Sequence, residues 1–325
     1  MKGKYRIVVQ NKRIKYDFEV KRNITIIRGD SATGKTALVD MIREYYANGE
    51  DSGVELFCDR TCAVLEGRNW KAQLSMLQES IIFIDEGNAF VASKEFATEL
   101  QNSTNYYVIV TRESLATLPY SVDEIYGIRN SGKYGSLKQT YNEMYRIYNV
   151  ETIVSDIKPE LVLTEDSNSG YQFFKALCEK NDLECFSCEG KSNIFSMVAN
   201  YQKQVVLINA DGAAFGPEME KIIKLMQVKK NINLYLPESF EWVVLQSGVI
   251  NDYEIKDILD VPYEYIDSRE YLSWERFFTR ILIDKTKDTY LSYSKKILNP
   301  SYQQEYVVDK VLKVMQKINF VWKNK

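Results

Sequence analysis

The sequence has 325 residues, of which 45% are hydrophobic, and its formal net charge is -3. This length and apolar content favour two packed domains and argue against disorder. No apolar run approaches the ~18 residues that cross a bilayer, so we expect no membrane partner and a cytoplasmic location. The chain has no histidine, which excludes Ser-His-Asp hydrolases, zincins and histidine phosphotransfer.

The first part of the chain alternates predicted strands and helices. A hairpin over residues 4–10 and 14–20 precedes a buried strand over 23–28. The later elements are strands near 54–58 and 62–65, a helix near 69–78, a strand ending at Asp85-Glu86, a helix near 93–101 and a strand at 106–111. Such alternation is typical of a parallel sheet with helices on both faces, so the predicted fold class is α/β.

Between the strand at 23–28 and a helix that opens at 36–42 lies a glycine-rich segment. It matches the phosphate-binding P-loop pattern G-x-x-x-x-G-K-[ST] and consists of Gly29, Asp30, Ser31, Ala32, Thr33, Gly34, Lys35 and Thr36. Gly29 and Gly34 let the backbone wrap around a polyphosphate, Lys35 would reach the β- and γ-phosphates, and Thr36 would ligate Mg²⁺. No N-K-x-D guanine-reading motif is present, so the predicted nucleotide and cofactor are ATP and Mg²⁺. The alternative is a glycine-rich turn without a ligand.

Polar residues also end the next two buried strands. Asp85 would hold Mg²⁺ through water or through Thr36, and Glu86 would act as general base on the attacking water. Thr111 would contact the γ-phosphate or the water, and Arg112 would stabilise charge in the transition state. The alternative for the second pair is structural, with Thr111 capping the next helix and Arg112 pairing with Glu113 or solvent.

The order and spacing of these motifs resemble the P-loop ATPases that have an additional strand and a catalytic glutamate. That group includes the ABC and RecA-like proteins. The resemblance implies an ATPase in which Lys35, Glu86 and Arg112 are catalytic. The ABC signature Leu-Ser-Gly-Gly-Gln is absent from the sequence.

Residues 129–158 become polar and then rich in aromatic residues, and a domain boundary is predicted near residue 155. A second α/β unit follows, with strands at 161–164, 183–188, 205–209 and 232–236 and helices between them. The order of parts resembles a topoisomerase–primase (Toprim) domain, whose acidic residues bind Mg²⁺ for phosphodiester chemistry. Glu165 matches that family's glutamate, and Asp211 and Gly216 match the first and last residues of its D-x-D-x-x-G motif. The resemblance thus implies metal ligation by Glu165 and Asp211.

Two positions depart from the Toprim pattern. Ala213 stands where the second aspartate belongs, and Asp166 stands where a glycine usually follows the glutamate. Glu238 and Glu241 are candidates for the missing ligands. Alternatively, they belong to the start of a helix after Pro237 and serve only its packing and dipole.

A P-loop ATPase followed by a Toprim domain resembles the overcoming-lysogenization-defect (OLD) family nucleases and related anti-phage proteins. The predicted domains are a P-loop ATPase (1–155), a Toprim-like domain (156–250) and a helical C-terminal region (251–325), with helices at 253–259, 269–282 and 303–317. The resemblance implies an ATP-hydrolysing protein that controls a Toprim-like domain in nucleic-acid processing or anti-phage defence, and that forms a homo-oligomer through its ATPase half. The alternative is an ATP-dependent switch whose second domain cuts nothing and binds a partner protein or nucleotide.

The five cysteines are Cys58, Cys62, Cys178, Cys185 and Cys188. The C-x-x-C spacing of the last two is compatible with redox chemistry or with half a zinc site. Their neighbours are more typical of a strand, which favours buried, reduced cysteines.

Overall fold

The structure, a computed structural model, describes residues 1–29, 33–131, 139–149 and 156–320. The chain divides into two compact units. The first consists of Met1–Tyr148 and Val261–Leu272, and the second of Asn149–Asp260 and Ser273–Lys325. The predicted boundary near residue 155 lies outside the described residues. None of the described helices is both long and apolar enough to cross a membrane.

The first unit is a nine-stranded sheet with three α-helices among its described residues. Its strands are β1 (Tyr5–Gln10), β2 (Ile14–Val20), β3 (Ile24–Ile27), β4 (Glu55–Phe57), β5 (Cys62–Val64), β6 (Ile81–Ile84), β7 (Tyr106–Val110), β8 (Ile125–Asn130) and β9 (Thr140–Arg146). Its helices are α1 (Lys35–Asn48), α2 (Trp70–Ser75) and α3 (Lys94–Gln101). The strand–helix alternation predicted from the sequence is confirmed.

The strand order is β4-β1-β2-β9-β8-β3-β7-β6-β5. The five strands from β8 to β5 are mutually parallel, and β7 lies between β3 and β6. The pairs β1–β2, β1–β4 and β8–β9 are antiparallel. The sheet is therefore mixed. Its five parallel strands agree with the parallel sheet predicted from the strand–helix alternation, and the hairpin predicted over residues 4–10 and 14–20 is present as β1 and β2, whose short turn allows only antiparallel pairing.

The sheet is strongly curled. A flat sheet would put its edge strands β4 and β5 about 38 Å apart, at ~4.8 Å per strand. Phe57 and Cys62, the facing ends of these strands, are only five residues apart in sequence, which limits their separation to about 18 Å. The two edges must therefore approach each other, and we call residues 58–61, which connect them, the seam.

Two apolar clusters cover the two faces of this sheet. Alternate residues of β6 point to opposite clusters, as a strand buried on both faces requires. Helix α1 contacts β1, β4, β5 and β6 and packs in the same cluster as Ile81 and Phe83. Helices α2 and α3 pack in the other cluster with Ile82 and Ile84. The curl thus encloses α1, whose first residue is Lys35.

The segment Val261–Leu272 joins the first unit from far along the chain. The N–H of Gly3 donates to Tyr263 O (2.7 Å), and the N–H of Ser268 donates to Met1 O (2.8 Å). The side-chain amide of Asn23 donates to Ser268 O (3.1 Å). The segment therefore binds beside the residue that precedes β3.

The second unit has a four-stranded parallel sheet, with order β11-β10-β12-β13. Its strands are β10 (Leu161–Thr164), β11 (Glu184–Ser187), β12 (Val206–Asn209) and β13 (Ile232–Tyr235). Its helices are α4 (Ser169–Lys180), α5 (Lys191–Ala199), α6 (Met219–Val228), α7 (Phe240–Gln246), α8 (Tyr253–Asp260), α9 (Trp274–Thr286) and α10 (Glu305–Val314). The predicted α/β alternation and the helical character of the C-terminal part are confirmed. Helix α9 begins at residue 274 rather than 269, because residues 269–272 belong to the segment bound to the first unit.

Candidate functional site

The glycine-rich segment lies between β3 and α1, and its residues Asp30, Ser31 and Ala32 are outside the described part of the chain. Gly29 has φ +133° and Gly34 has φ +91°, conformations that L side chains rarely adopt. Gly34 is the N-cap of α1 and has no side chain with which to cap it. The N-cap residue therefore makes no side-chain hydrogen bond to the first backbone N–H groups of α1, which are the groups that bind anions at helix N-termini.

The side chain of Lys35 folds back over this segment. Its ammonium donates to Gly29 O (2.8 Å) and to Thr33 Oγ1 (3.0 Å), and the residue is only 5% exposed. An ammonium at a helix N-terminus meets the positive end of the helix dipole, which an anion bound there would offset. Thr36, the next residue, is exposed.

Tyr16 and Asn142 support Gly34 from two strands of the sheet. The Tyr16 hydroxyl donates to Gly34 O at 2.7 Å. A Cβ on Gly34 would lie 2.8 Å from Tyr16 Oη and 3.0 Å from Asn142 Nδ2. Burial raises the pKa of Tyr16, so its hydroxyl keeps the proton that it donates. Neither residue was predicted, because the local sequence of β2 or β9 does not indicate a contact with the glycine-rich segment elsewhere in the chain.

Asp85 and Glu86 follow β6 directly. Asp85 Oδ1 accepts a hydrogen bond from the N–H of Glu86 at 2.8 Å. Burial raises the pKa of Asp85, and the nearby carboxylate of Asp40 acts in the same direction. A cation at this carboxylate would lower that pKa again, as a bound metal does.

The residues that follow β7 are partly engaged with each other and with β6. Thr111 Oγ1 accepts from the N–H of Glu113 at 3.0 Å, which is a local turn contact and not the helix cap of the structural alternative, because the next described helical element after β7 begins only at Val122. Arg112 has a charged partner that the alternative did not name, because its Nε lies 2.6 Å from Glu86 Oε1. Two of the three charged residues predicted to be catalytic, Glu86 and Arg112, thus form an ion pair at the carboxyl ends of β6 and β7.

In the second unit, Glu165 and Asp211 are brought together at adjacent strand ends. Strands β10 and β12 pair in register, and Glu165 and Asp211 follow them by one and two residues. The N–H of Asp211 donates to Glu165 Oε2 at 3.2 Å. Burial raises the pKa of Glu165 to about 7 and also raises the pKa of Asp211.

A lysine from the C-terminal part of the chain lies beside this pair. Lys295 Nζ is 3.7 Å from Asp211 Oδ2 and 3.0 Å from Glu241 Oε1. Burial disfavours its charged form, but the carboxylates around it outweigh burial and raise the pKa of Lys295. Glu241 is fully buried and also accepts a hydrogen bond from the Tyr293 hydroxyl at 2.7 Å. Lys295 therefore stays charged and balances part of the negative charge.

Glu241 and Glu238 differ in their placement. Glu241 lies in the first turn of α7, after the N-cap Ser239, as the structural alternative proposed. Its carboxylate is committed to Lys295 and Tyr293. Glu238 contributes its backbone carbonyl, which accepts from the N–H of Ala213 at 3.3 Å. Gly212 fits between these segments only because it lacks a side chain, since a Cβ there would lie 2.5 Å from Leu236 O.

Glu165, Asp211 and Lys295 line one pocket of the second unit. Its lining consists of Thr164, Glu165, Asp166, Gly170, Tyr171, Asn209, Ala210, Asp211, Phe240 and Lys295. Across residues 1–29, 33–131, 139–149 and 156–320, no group of three or more Cys, Asp or Glu side chains is arranged to hold a metal ion. Glu165 and Asp211 therefore form a two-carboxylate site with an ammonium beside it.

Lys295 and Glu275 are site residues that the sequence did not indicate. Glu275, in the first turn of α9, raises the pKa of both Glu165 and Asp211 through its charge. Both residues come from the region that was assigned only a helical pattern, more than 60 residues after Asp211. Comparison of the chain with protein-family models, with curated proteins and with solved structures gave no match.

Proposed function

We propose that the first unit is a P-loop ATPase that binds ATP at the glycine-rich segment and hydrolyses it with Mg²⁺. The observation that carries the proposal is the position of the Lys35 ammonium, within hydrogen-bonding distance of Gly29 O and Thr33 Oγ1 at the start of α1. Phosphate oxygens would replace these neutral acceptors by stronger, charge-assisted bonds. The backbone N–H groups of the first helical turn, which point toward the glycine-rich segment, would add to the attraction.

The strand order supports membership of the additional-strand group. Strand β7 lies between β3, which leads into the glycine-rich segment, and β6, which ends at Asp85. Ligands of parallel sheets bind at the carboxyl ends of strands, where Gly29, Asp85 and Thr111 all lie. The three positions are thus available to one nucleotide.

The donors present fit Mg²⁺, which prefers oxygen ligands and keeps several waters. The exposed hydroxyl of Thr36 and the carboxylate of Asp85 would hold it. When bound, Mg²⁺ supplies charge neutralisation for the phosphates. Glu86 would take the proton of the attacking water, and Arg112 would leave Glu86 to balance charge at the phosphate.

The proposal is tested by ATP and GTP turnover with purified chain, followed as phosphate release. We expect Mg²⁺-dependent ATP hydrolysis that K35A lowers by at least about 100-fold. The control is K71A, which removes a lysine that lies on α2 in the same unit and pairs with Glu95. Equal loss in both variants, or no nucleotide binding by the wild-type chain, would contradict the proposal.

For the second unit, we propose a Toprim-like domain that the ATPase controls in nucleic-acid processing or anti-phage defence. Its support is the pair Glu165 and Asp211 at the ends of adjacent parallel strands. Two carboxylates at this spacing can share one hydrated Mg²⁺. We expect Mg²⁺- or Mn²⁺-dependent nicking of DNA or RNA that D211N abolishes. The variant D309N, at an exposed position of α10, should cut as the wild type does.

Two observations favour a second candidate function. Ala213 is buried where the family's second aspartate would stand, and Lys295 lies where it balances the charge of Asp211. These features favour a cytoplasmic ATP-dependent switch whose second unit binds a partner protein or nucleotide and cuts nothing. It predicts no cleavage with either metal and an ATP-dependent change in assembly, including self-association through the ATPase half. Light scattering with and without ATP, in wild type and K35A, measures that change.

A further inference from the structure

Arg28 is a buried cation to which the proposed ATPase mechanism assigns no role. It follows β3 directly, precedes Gly29 of the glycine-rich segment, and is only 6% exposed. A buried charge is costly unless hydrogen bonds compensate for its lost hydration, and an apolar side chain of similar length would suit a position that is only filled. The contacts of the guanidinium therefore indicate why this position carries a charge.

The guanidinium reaches the loop that follows the neighbouring strand β7. Its Nη2 donates to three uncharged oxygens, which are Glu113 O at 3.0 Å, Ser114 Oγ at 3.2 Å and Tyr120 Oη at 3.0 Å. The first two of these residues come directly after Arg112 in the chain. A single cation thus connects the strand that enters the glycine-rich segment with the loop that carries Arg112.

The two ends of this loop are held in different ways. Leu115, Leu118 and Tyr120 are buried in the apolar cluster that contains residues of α2 and α3. The side chains of Arg112 and Glu113, by contrast, are exposed, so apolar packing does not hold them. Their backbone is held by hydrogen bonds, in which Glu113 O accepts from the Arg28 guanidinium and from the Thr111 hydroxyl. Loss of the guanidinium should therefore loosen the start of the loop more than its end.

We propose that Arg28 is a positioning residue for Arg112, a role that rests on the proposed ATPase function. By holding Glu113 O and Ser114 Oγ, the guanidinium fixes the backbone next to Arg112 and keeps the Arg112 side chain at the nucleotide site. Arg28 does not itself act on the phosphates, because its side chain is buried and its Nη2 is committed to three oxygens of the protein. A catalytic group displaced by about 1 Å can lose about 100-fold in rate, so such positioning matters.

Arg22 offers a matched control at the other end of β3. It precedes the strand, is likewise 6% exposed, and its Nε lies 3.4 Å from Glu124 Oε1. The variant R22M thus removes a buried arginine from the same unit, at the end of β3 that lies away from the glycine-rich segment. It measures what the loss of a buried cation does by itself.

The first experiment follows limited trypsin cleavage of the folded full chain, without nucleotide, by peptide mass spectrometry. The measured quantity is the ratio of cleavage after Arg112 to cleavage after Lys71 on α2. Trypsin requires local opening of the loop, and loss of a hydrogen bond to a charged group raises the open fraction by about tenfold or more. We expect the ratio to rise about tenfold in R28M and to stay at the wild-type value in R22M. A wild-type ratio in R28M would overturn the proposal.

A milder variant keeps this test decisive. Y120F removes one of the three acceptors and keeps the buried aromatic ring, so it should raise the trypsin ratio in the same direction as R28M but by less. If R28M does not fold, an unchanged ratio in Y120F overturns the proposal.

The second experiment measures steady-state ATP turnover. We expect R28M to lower kcat by about 10–100-fold with KM for ATP within about twofold of wild type, because only the position of Arg112 changes. In the R112A background, R28M should cause no further loss. An equal loss in both backgrounds would overturn the positioning role. Absence of ATP turnover in the wild-type chain refutes the proposed ATPase, whereas intact turnover with an unchanged trypsin ratio in R28M refutes the role of Arg28 alone.

Discussion

The Nε of Arg112 lies 2.6 Å from Oε1 of Glu86, so the ends of two neighbouring strands are joined by an ion pair. The side chains are 55% and 36% exposed, respectively. Exposed pairs of this kind contribute only about 0.2–1 kcal/mol, so the pair can exchange readily for a stronger partner. A phosphate bound nearby would be such a partner for Arg112.

We expect E86Q to lower ATP turnover by about 10²–10⁴-fold, because glutamine cannot accept the proton of the attacking water. The affinity for ATP should be unchanged, since Glu86 is proposed to act on the water and not on the nucleotide. Steady-state kinetics and equilibrium nucleotide binding separate the two effects. The variant E113Q is the control, because Glu113 contributes its backbone to the turn. Loss of ATP affinity in E86Q would contradict the proposed role.

The ion pair between Arg112 and Glu86 also allows a test of the role of Arg112 in catalysis. If Arg112 acts on the phosphate, R112A lowers kcat in a chain that still has Glu86, and E86Q/R112A is slower than E86Q alone, because the two side chains act on different atoms. If Arg112 only pairs with Glu86, R112A leaves kcat close to wild type. The double-mutant cycle distinguishes these outcomes because the two side chains are in contact.

Gly34 should resist substitution for two separable reasons. G34A places a methyl group 2.8 Å from Tyr16 Oη, and it also forces alanine to φ +91°. The left-handed backbone conformation of alanine costs about 1–2 kcal/mol of stability. The control G67A carries a similar backbone strain at φ +77° with nothing within 4 Å of its Cβ. We expect G34A to be more destabilising than G67A in urea unfolding, and to abolish nucleotide binding.

The double variant G34A/Y16F identifies the source of the effect. Phenylalanine removes the hydroxyl that would meet the new methyl group, so it relieves crowding but not the strained φ. Partial recovery of stability is the expected result. Full recovery would mean that the positive φ of Gly34 is unimportant, contrary to its position as the N-cap of α1.

Lys295 should be a stabilising residue as well as a site residue. Its removal in K295M leaves the fully buried Glu241 carboxylate with the Tyr293 hydroxyl but without its cation. Breaking a buried pair by removing one partner costs about 3–5 kcal/mol. We therefore expect a large loss of unfolding free energy in K295M and partial recovery in K295M/E241Q. The exposed neighbour Lys296 provides the control K296M, which should unfold as the wild type does.

The sequence predicted the elements that local pattern determines. Apolar runs identified β3, β6, β7 and the four strands of the second unit. The Toprim resemblance, and not local pattern, implied that Glu165 and Asp211 lie together, and the two residues are in contact. The sequence analysis missed β8, and it missed β9, which lies in the stretch 129–158 that was described only as polar and then rich in aromatic residues. Strand β9 has only one buried residue, Asn142, among its seven, so its apolar pattern is weak.

The sequence did not predict the residues that contact the site, for a different reason. Lys295 is one of many lysines in the sequence. Its role depends on its contact with Asp211, which lies 84 residues earlier in the chain. Tyr16 reaches Gly34 across the sheet in the same way. Such contacts follow from tertiary topology, which local periodicity does not contain. The segment 261–272 is a similar case, since its backbone hydrogen bonds to Met1 and Gly3 join residues more than 250 positions apart in sequence.

Glu165 should make stability depend on pH. Burial raises its pKa to about 7 in the folded chain, against an ordinary value of about 4.3. The folded chain therefore binds more protons than the unfolded chain between these values, and the free energy of unfolding falls as pH rises from about 4.5 to 7. The contribution is at most about 4 kcal/mol, fully present below pH 4 and lost above pH 7.

Urea unfolding in EDTA-containing buffers at pH 5.0 and 7.5 measures this contribution. E165Q has no ionisable group at the site, so its stability should fall less between the two pH values than that of the wild type. The control E179Q changes an exposed glutamate of α4 and should retain the wild-type dependence. Asp211, whose pKa is raised by burial as well, leaves a residual slope in E165Q. A wild-type slope in E165Q would mean that the Glu165 carboxylate is ionised in the folded chain at pH 5, and that its burial beside Asp211 costs little.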